Sequence, residues 1–410
     1  MPEMIKKAKL NPSLLNLQIY ASKAISLEVK KNPDIVGLSF GEPEFGPPPY
    51  ALKDIEDKDL SIGNFLNAVK RYEDPKGSLE LRQAIAAWYK QRYNLDVNPE
   101  KEIMVTHGGV EAITLAILST SEVGDIIAVT DPSYMLYSRT ITTLERKCHT
   151  IHRPVGGYEY KKILEDKAIL QSDFAKAKTI IINSPENPSG YVVDPTEWEM
   201  IADYSKKMGL WVIHDEVYDT MAFERKHIPF RASCSLPPYS IMINSFSKKF
   251  GIPGLRIGWI VANEEVINLA SKIHDYMYLG VNIQYEKIAT RLLSDQRNME
   301  WLAGITQKIK QRAEKAMHVL GEQQGFSWPR LPLGAMFLFP NVRALYDKMP
   351  EAYRSKGVVV GDAVAQYLMK EKKVAVVPGS VYGSESSEHV RLVLCTTDKE
   401  FDLALDRLQA

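Results

Sequence analysis

Residues 245–258 read Ser-Phe-Ser-Lys-Lys-Phe-Gly-Ile-Pro-Gly-Leu-Arg-Ile-Gly, and they indicate more about this chain than any other segment. Lys248 follows the hydroxyl residues Ser245 and Ser247, and Arg256 comes eight positions after the lysine. A lysine amine can form a Schiff base with an aldehyde, and a guanidinium with two hydroxyls suits a phosphate. The segment is therefore typical of a lysine that holds a phosphorylated aldehyde cofactor. A solvated Lys-Lys pair on a loop is the alternative, because short motifs often match by chance.

Three further motifs follow or lie within apolar runs. They are Asn183-Ser-Pro-Glu-Asn187-Pro-Ser-Gly190, His214-Asp215-Glu216-Val-Tyr218 and His389-Val-Arg391-Leu. With the lysine segment, they resemble the class I and II aminotransferases of fold type I, which show N-x-P-x-N-P-[ST]-G, D-E-x-Y and a strand-borne arginine. The resemblance extends from about residue 36 to the end and is weak before it and over about 276–328. It implies an aminotransferase that uses pyridoxal 5′-phosphate to move an amino group from an L-amino acid to a 2-oxo acid.

The same resemblance leaves one alternative for the reaction open. The shared motifs govern how a carbanion forms at the substrate and do not determine its fate. A relative that catalyses elimination, cyclisation or oxidation of an amino acid therefore stays possible on sequence alone.

Short apolar runs alternate with amphipathic segments, which predicts an α/β fold with a mostly parallel sheet flanked by helices. Strands are predicted over 103–105, 126–129, 180–182, 211–213 and 241–243. Sheets of this kind bind ligands beyond the ends of their strands, where Asn183, Asp215 and Ser245 follow three of these runs. The pattern changes near residue 299 and predicts a smaller α+β domain. We expect an N-terminal arm that joins the small domain over 1–46, a large cofactor-binding domain over 47–295 and the small domain over 296–410.

The resemblance also implies roles for residues around the cofactor ring. Lys248 would bind the cofactor covalently and act as the catalytic base. Asp215 would keep the ring nitrogen protonated, and Tyr218 and Asn187 would hydrogen-bond the phenolate oxygen. Glu216 is the rival for the carboxylate role, although alternation along a strand points it the other way.

A second group of implied roles concerns the cofactor phosphate and the ring face. The amides at a helix N-terminus bind phosphate, and glycine permits a close approach. The predicted phosphate ligands are Gly109, Val110, Ser245, Ser247, Arg256 and, from the neighbouring subunit of a homodimer with a shared active site, Tyr72. Tyr134 is the predicted aromatic that stacks on the ring, with Tyr137 as the alternative.

The predicted substrate site contains an arginine and a backbone turn. Arg391 would bind the substrate carboxylate through its planar fork, together with Asn187 and the backbone of Gly41. Some aspartate-specific relatives carry a lysine after the Gly-Gly pair, where this chain has Val110. We therefore expect a donor other than aspartate to be preferred.

Composition restricts the partners and the compartment. The chain has 51 lysines plus arginines and 51 aspartates plus glutamates, so nothing favours nucleic acid or an anionic membrane. Its 3 cysteines, Cys148, Cys234 and Cys395, are too far apart for a C-x-x-C metal motif, so no metal is expected. Without a secretory pattern at the N-terminus, we expect a cytoplasmic enzyme.

Overall fold

The structure is a computed structural model that describes residues 10–11, 14–15, 19–51, 62–153, 159–233 and 239–410. Cys234 and most of the predicted N-terminal arm before residue 19 lie outside these residues. The strands are β1 Val36–Gly37, β2 Ile103–Thr106, β3 Ile126–Asp131, β4 Lys147–His152, β5 Thr179–Asn183, β6 Trp211–Asp215, β7 Ser240–Ser245, β8 Gly258–Val261, β9 Phe337–Leu338, β10 Val374–Ala375, β11 Val377–Pro378 and β12 Val390–Val393.

The helices range from one to six turns. They are α1 Ala21–Lys31, α2 Ile62–Ala68, α3 Leu79–Tyr93, α4 Gly109–Thr120, α5 Met135–Thr143, α6 Tyr160–Glu165, α7 Lys167–Leu170, α8 Pro195–Met208, α9 Phe230–Ser233, α10 Phe246–Lys249, α11 Glu264–Tyr278, α12 Ile283–Ser294, α13 Asn298–Val319, α14 Arg343–Lys348, α15 Val360–Lys370 and α16 Asp398–Gln409. Among them, none combines the length and apolar composition needed to cross a bilayer.

A seven-stranded sheet in the order β2-β8-β7-β6-β5-β3-β4 forms the centre of the molecule. Strands β3 to β7 are mutually parallel, and only β8 runs antiparallel to its neighbours β7 and β2. The mostly parallel sheet predicted from the apolar runs is confirmed.

Helices cover both faces of this sheet and bury its apolar side chains. One face packs against α4, α5 and α11, and the other packs against α6, α8 and α9. Helix α8 shows how local sequence sets such an element. Asp194 and Glu197 form a capping box at its start, Pro195 occupies the first turn, and Gly209 ends it in the left-handed region.

Two small sheets lie outside the large one. β11-β12-β9 form an antiparallel sheet, and its residues share an apolar core with α13, α15 and α16. β1 pairs in parallel with β10, which brings the segment after α1 to the C-terminal third of the chain. This pairing is the arrangement expected for the smaller α+β part, whereas the boundaries at 46 and 295 stay predictions.

The large sheet brings three polar residues to one edge. Asn183, Asp215 and Ser245 are the last residues of β5, β6 and β7, which are adjacent and parallel. Asn183 pairs with Asp215 in register, so their side chains start from neighbouring positions at the carboxyl edge of the sheet.

Candidate active site

A cavity of about 220 Å³ opens at this edge of the sheet. The predicted site residues that line it are Gly41, Gly109, Val110, Tyr134, Asn187, Asp215, Tyr218, Ser245, Ser247, Lys248, Arg256 and Arg391. Tyr72 does not line it and is 79% exposed on the surface of the chain. Segments far apart in sequence therefore meet around one cavity, whereas the exposed Tyr72 lies outside it.

The two adjacent lysines of α10 have different surroundings. Lys248 lines the cavity, and its Nζ donates a hydrogen bond to the carbonyl of Gly41. Burial lowers the pKa of Lys248 to about 8. Lys249 is fully buried outside the cavity, where its Nζ is paired with the Asp219 carboxylate. Only Lys248 is therefore placed to react with a molecule in the cavity.

Asp215 presents a buried carboxylate to the cavity. Tyr137 donates to its Oδ2 at 2.6 Å, and the Val217 amide donates to its Oδ1 at 3.2 Å. Burial is the largest influence and raises the pKa of Asp215 to about 6 despite these two donors. Such a carboxylate gains most from a cationic partner in the cavity.

Glu216, the rival carboxylate, faces away from the cavity. It accepts a hydrogen bond from the Tyr89 hydroxyl, and His227 Nε2 lies 3.0 Å from its other oxygen. Burial raises the pKa of Glu216 to about 7. The alternation expected along a strand thus separates the two carboxylates, and Asp215 is the one that meets the cavity.

His214, Glu216 and His227 lie close enough to share a cation, with one ligand atom from each within 4.8 Å of the others. Hydrogen bonds already occupy both ring nitrogens of His214 and both oxygens of Glu216, whereas His227 Nδ1 is a buried atom without a partner among the described residues. His214 Nδ1 accepts from the Phe230 amide at 3.3 Å, and its Nε2 lies 3.1 Å from the Ser184 carbonyl. Burial lowers the pKa of His214 to about 4, so the ring is neutral and fits this pattern of one donor and one acceptor. We therefore treat the trio as a hydrogen-bonded cluster.

The start of α4 forms a candidate anion site in the cavity wall. Gly108 has a φ of +82°, and no described side chain caps the first turn of the helix. A Cβ at Gly108 would lie 2.4 Å from an Arg256 nitrogen, so only glycine lets the guanidinium come this near. Arg256 is held by the carbonyls of Pro253 and His107 at 2.8 and 3.0 Å. Free helix amides beside a fixed guanidinium suit a phosphate.

Two hydroxyls complete the anion site. Ser245 Oγ accepts from the Ser247 amide at 3.1 Å and lies 3.0 Å from Ser247 Oγ. Both side chains line the cavity at the start of α10. The two serines of the lysine segment therefore lie next to one another in the cavity wall, and their role as phosphate ligands stays a prediction.

Arg391 forms a second candidate anion site. Its NH1 donates to the Asn187 side-chain oxygen at 3.0 Å, and its NH2 donates to the Ser39 carbonyl at 2.8 Å. The guanidinium lies 4.4 Å over the Phe337 ring and is almost fully buried. Its Nε is a buried donor without a partner among the described residues. A cation held this way lacks a carboxylate and is suited to bind one from a small molecule.

Aromatic side chains form much of the remaining wall. The Tyr134 hydroxyl lies 2.9 Å from that of Tyr20, while Tyr137 is bonded to Asp215 as described above. The assignment of Tyr134 as the stacking residue stays a prediction. Sequence reasoning did not find the lining residues Tyr20, Phe40, Glu42 and Phe337. Phe337 lies outside the motifs that carry the family resemblance, and Tyr20 lies in the weakly matching N-terminal segment.

These groups fit pyridoxal 5′-phosphate. Its phosphate matches the anion site at α4, its basic ring nitrogen matches the buried carboxylate of Asp215, and its aldehyde matches the amine of Lys248. The orphaned donor on Arg391 is then left for the carboxylate of an amino acid.

Comparison with known proteins agrees with this geometry. The sequence model of the family described as aminotransferase class I and II matches residues 33–408. An aspartate aminotransferase from Pyrococcus horikoshii is 26% identical over 381 residues, which cover 92% of this chain and 91% of that one. A (5-formylfuran-3-yl)methyl phosphate transaminase from Methanocaldococcus jannaschii is 28% identical over 407 residues, 99% of each chain.

The solved structures support the same fold. N-succinyldiaminopimelate aminotransferase from Mycobacterium tuberculosis superposes with a TM-score of 0.84 at 25% identity, covering 98% of this chain and 99% of that one. The predicted family resemblance and reaction class are confirmed. Because these relatives carry names for different substrates, they leave the amino donor of this chain undetermined.

Proposed function

Since the chain belongs to the class I and II aminotransferases and is a pyridoxal 5′-phosphate-dependent aminotransferase, we propose that its preferred donor is a neutral, aromatic or basic L-amino acid. The amino group passes to a 2-oxo acid. Aspartate is a poorer donor in this proposal.

The charges around the cavity support this choice of donor. Three cations line it among the described residues, namely Lys248, Arg256 and Arg391. The proposed roles engage all three, with the cofactor, the phosphate and the substrate α-carboxylate. Val110 stands at the start of α4 in place of a further cation and is 43% exposed. A second carboxylate would enter partly desolvated and unpaired, at a cost of several kcal/mol.

The shape and chemistry of the remaining wall point the same way. Tyr20, Phe40, Tyr134 and Phe337 offer apolar and aromatic surface to a substrate side chain. Glu42, also in the lining, adds a negative charge at an exposed position. This wall attracts neutral, aromatic and basic side chains and repels acidic ones.

The proposed mechanism divides the chemistry between the residues of the cavity. Bound pyridoxal 5′-phosphate supplies an electron sink for negative charge at the substrate Cα. Lys248 would hold the cofactor through its amine, and the same amine would take the Cα proton of the amino acid. Its pKa of about 8 leaves a useful fraction of neutral amine near neutral pH. Asp215 keeps the ring nitrogen protonated, because its carboxylate favours a cation beside it.

The other proposed roles concern orientation. Arg391 binds the α-carboxylate and is itself fixed by Asn187 and the Ser39 carbonyl, so the amino acid enters in one direction. Tyr218 and Asn187, which both line the cavity, would hydrogen-bond the phenolate oxygen of the cofactor. The wall of aromatic side chains excludes water from the Cα while its proton moves.

A cytoplasmic homodimer completes the proposal. The apolar side chains of Ile62, Leu66, Tyr72 and Tyr276 are 59–94% exposed. The segments that carry them lie near one another, because the ring centres of Phe65 in α2 and Tyr285 in α12 are 6.5 Å apart and Gly280, just after α11, lies beside the Glu73 backbone. An apolar region of this kind suits a second copy of the chain, with Tyr72 reaching the other subunit's phosphate site. The free thiols Cys148 and Cys395 suit a reducing compartment.

A donor screen tests the proposed specificity. Alanine, methionine, phenylalanine, arginine and aspartate are each mixed with the enzyme, and absorbance follows conversion of the cofactor to its amino form, followed by turnover with 2-oxoglutarate or pyruvate. We expect aspartate to give a lower kcat/KM than at least one of the other donors. Aspartate winning by about tenfold, or about 1.4 kcal/mol, would contradict the proposal.

The dimer is tested by complementation. Lys248→Ala and Tyr72→Ala subunits are mixed, unfolded together and refolded. A shared site regenerates one intact centre per mixed dimer, so activity should exceed that of either variant alone. A monomeric mass in solution, or no gain on mixing, contradicts a shared site.

A further inference from the structure

Four residues of the cavity wall each have a buried polar neighbour in the chain that faces away from the cavity. The pairs are Asp215 with Glu216, Tyr218 with Asp219, Ser245 with Asn244, and Lys248 with Lys249. We call Glu216, Asp219, Asn244 and Lys249 the buried network. The two segments that carry the proposed catalytic groups, 215–219 and 244–249, therefore share a second set of contacts on the side away from the cavity.

The centre of the buried network is an ion pair. The Lys249 ammonium is bonded to Oδ1 of Asp219, and both side chains are fully buried. Tyr93 donates to the other Asp219 oxygen at 2.9 Å. The ammonium also lies 4.6 Å from the Trp88 ring centre. Aromatic and hydroxyl groups on α3 thus fix the pair in one geometry.

The rest of the buried network ties β6 to β7. The Tyr89 hydroxyl donates to Glu216 and accepts from Trp259 Nε1 at 3.1 Å. The Asn244 amide lies 3.4 Å from Glu216, and its oxygen accepts from the Ser245 amide at 2.8 Å. These hydrogen bonds therefore hold the carboxyl ends of β6 and β7 together on the side away from the cavity.

The position of helix α10 depends on this arrangement more than that of a longer helix would. It contains four residues, Phe246–Lys249, and Lys248 lies next to the anchored Lys249. Asp219 belongs to the turn that follows β6, in the same segment as Asp215 and Tyr218. The Asp219 amide closes this turn by donating to the Glu216 carbonyl at 2.9 Å. One ion pair thus connects the lysine segment directly to the turn that bears the two other proposed catalytic residues.

We propose that the Lys249–Asp219 ion pair is a positioning device that sets where the Lys248 amine lies relative to Asp215 and Tyr218. The inference rests on the proposed role of Lys248 as the residue that binds the cofactor. A buried ion pair contributes little net stability, because desolvation of two charges offsets most of their attraction. Its contribution here is a fixed distance and direction, and a displacement of about 1 Å at a reacting group can lower a rate by about 100-fold.

The test uses Lys249→Met, Asp219→Asn and the double variant Lys249→Met/Asp219→Asn. Lys90→Met is the matched control, because Lys90 lies on α3 in an exposed ion pair with Asp96 at 2.8 Å. Three quantities are measured for each protein. They are the Tm without cofactor, the rate at which borohydride fixes pyridoxal 5′-phosphate on the Lys248 peptide, and kcat and KM.

Each single variant should fix cofactor at Lys248 more slowly and lose kcat, both by roughly 10- to 100-fold, with KM changed less than about threefold. The double variant should regain most of the Tm lost by the singles, because it leaves no unpaired buried charge. Its labelling rate and kcat should stay low. Recovery of labelling and kcat together with Tm would show that the pair only supports folding and would overturn the proposal.

Tyr93→Phe keeps the test decisive if the charge variants fail to fold. It removes the hydrogen bond that orients Asp219, together with the one that the Tyr93 hydroxyl accepts from Arg92 Nε at 3.0 Å, so labelling should slow about fivefold at nearly unchanged Tm. Wild-type labelling in Tyr93→Phe also counts against the proposal. Labelling of the wild-type protein separates the proposed role of Lys248 from the positioning role of the ion pair. If it fixes no cofactor at Lys248, the proposed role of Lys248 is wrong, whereas labelled wild type with unaffected variants contradicts only the positioning role.

Discussion

The hydroxyl of Tyr137 donates a 2.6 Å hydrogen bond to the carboxylate of Asp215 inside the cavity. This bond and the Val217 amide fix the carboxylate and favour its charged form, whereas burial disfavours charge and raises the pKa of Asp215 to about 6. The balance yields an oriented carboxylate whose charge is best stabilised by a cation in the cavity. A protonated ring nitrogen is such a cation.

Replacement of Asp215 by asparagine should therefore remove the charge while keeping the shape. We expect kcat to fall by about 100-fold or more, equivalent to about 3 kcal/mol of lost transition-state stabilisation. Cofactor should still be fixed at Lys248 by borohydride. Asp203→Asn on the exposed side of α8 is the control and should leave kcat unchanged. Near-normal turnover in Asp215→Asn would remove this residue from the site.

The raised pKa of Asp215 also predicts how stability without cofactor changes with pH. Its ordinary pKa is 3.8 and its folded value is about 6, so its stabilising contribution is complete below about pH 4 and is lost as pH rises through 6. Asparagine does not titrate. The free energy of unfolding of Asp215→Asn, measured with denaturant, should therefore rise relative to wild type between pH 4 and 7 by roughly 2–3 kcal/mol. Other titrating groups are common to both proteins. A difference in the free energy of unfolding that does not change with pH would therefore contradict a buried Asp215 carboxylate with a raised pKa.

Lys248→Ala should separate the two lysines of α10. We expect this variant to bind the cofactor without a covalent bond and to lose turnover by several orders of magnitude. Borohydride should fix no cofactor on Lys249, because that amine is buried in its ion pair with Asp219. Peptide mapping by mass spectrometry provides the measurement, and labelled Lys249 peptide would overturn the assignment.

Val110→Lys should change donor preference toward aspartate. A lysine at the start of α4 adds a cation that pairs with the second carboxylate, so its desolvation is partly offset. We expect kcat/KM for aspartate relative to alanine to rise by about tenfold, or about 1.4 kcal/mol. Val123→Lys, at a position that is 68% exposed and outside the cavity lining, is the control for added charge. An equal change in both variants would mean that position 110 does not face the substrate.

Much of the fold was predictable because its signals are local. Apolar runs marked five of the seven strands of the large sheet, whereas β4 and β8 were not predicted. The polar residues after three of these runs marked the strand ends at Asn183, Asp215 and Ser245. Alternation along β6 correctly predicted that Glu216 points away from the cavity. The short strands β9, β10 and β11, each of two residues, were harder to bound, because two residues carry no measurable period.

The sequence by itself determined the family, through motifs that resemble those of known members. It also determined the mostly parallel sheet, because apolar periodicity is a property of neighbouring residues. Tertiary structure alone decided which remote groups meet. Arg391 bonds to Asn187 across 204 positions, and Tyr20 reaches Tyr134 across 114. It also decided that Lys249 is paired with Asp219 while Lys248 faces the cavity. Two adjacent lysines have the same chemistry, and only the packing of α3, β6 and α10 gives one of them a buried carboxylate and the other a space for a ligand.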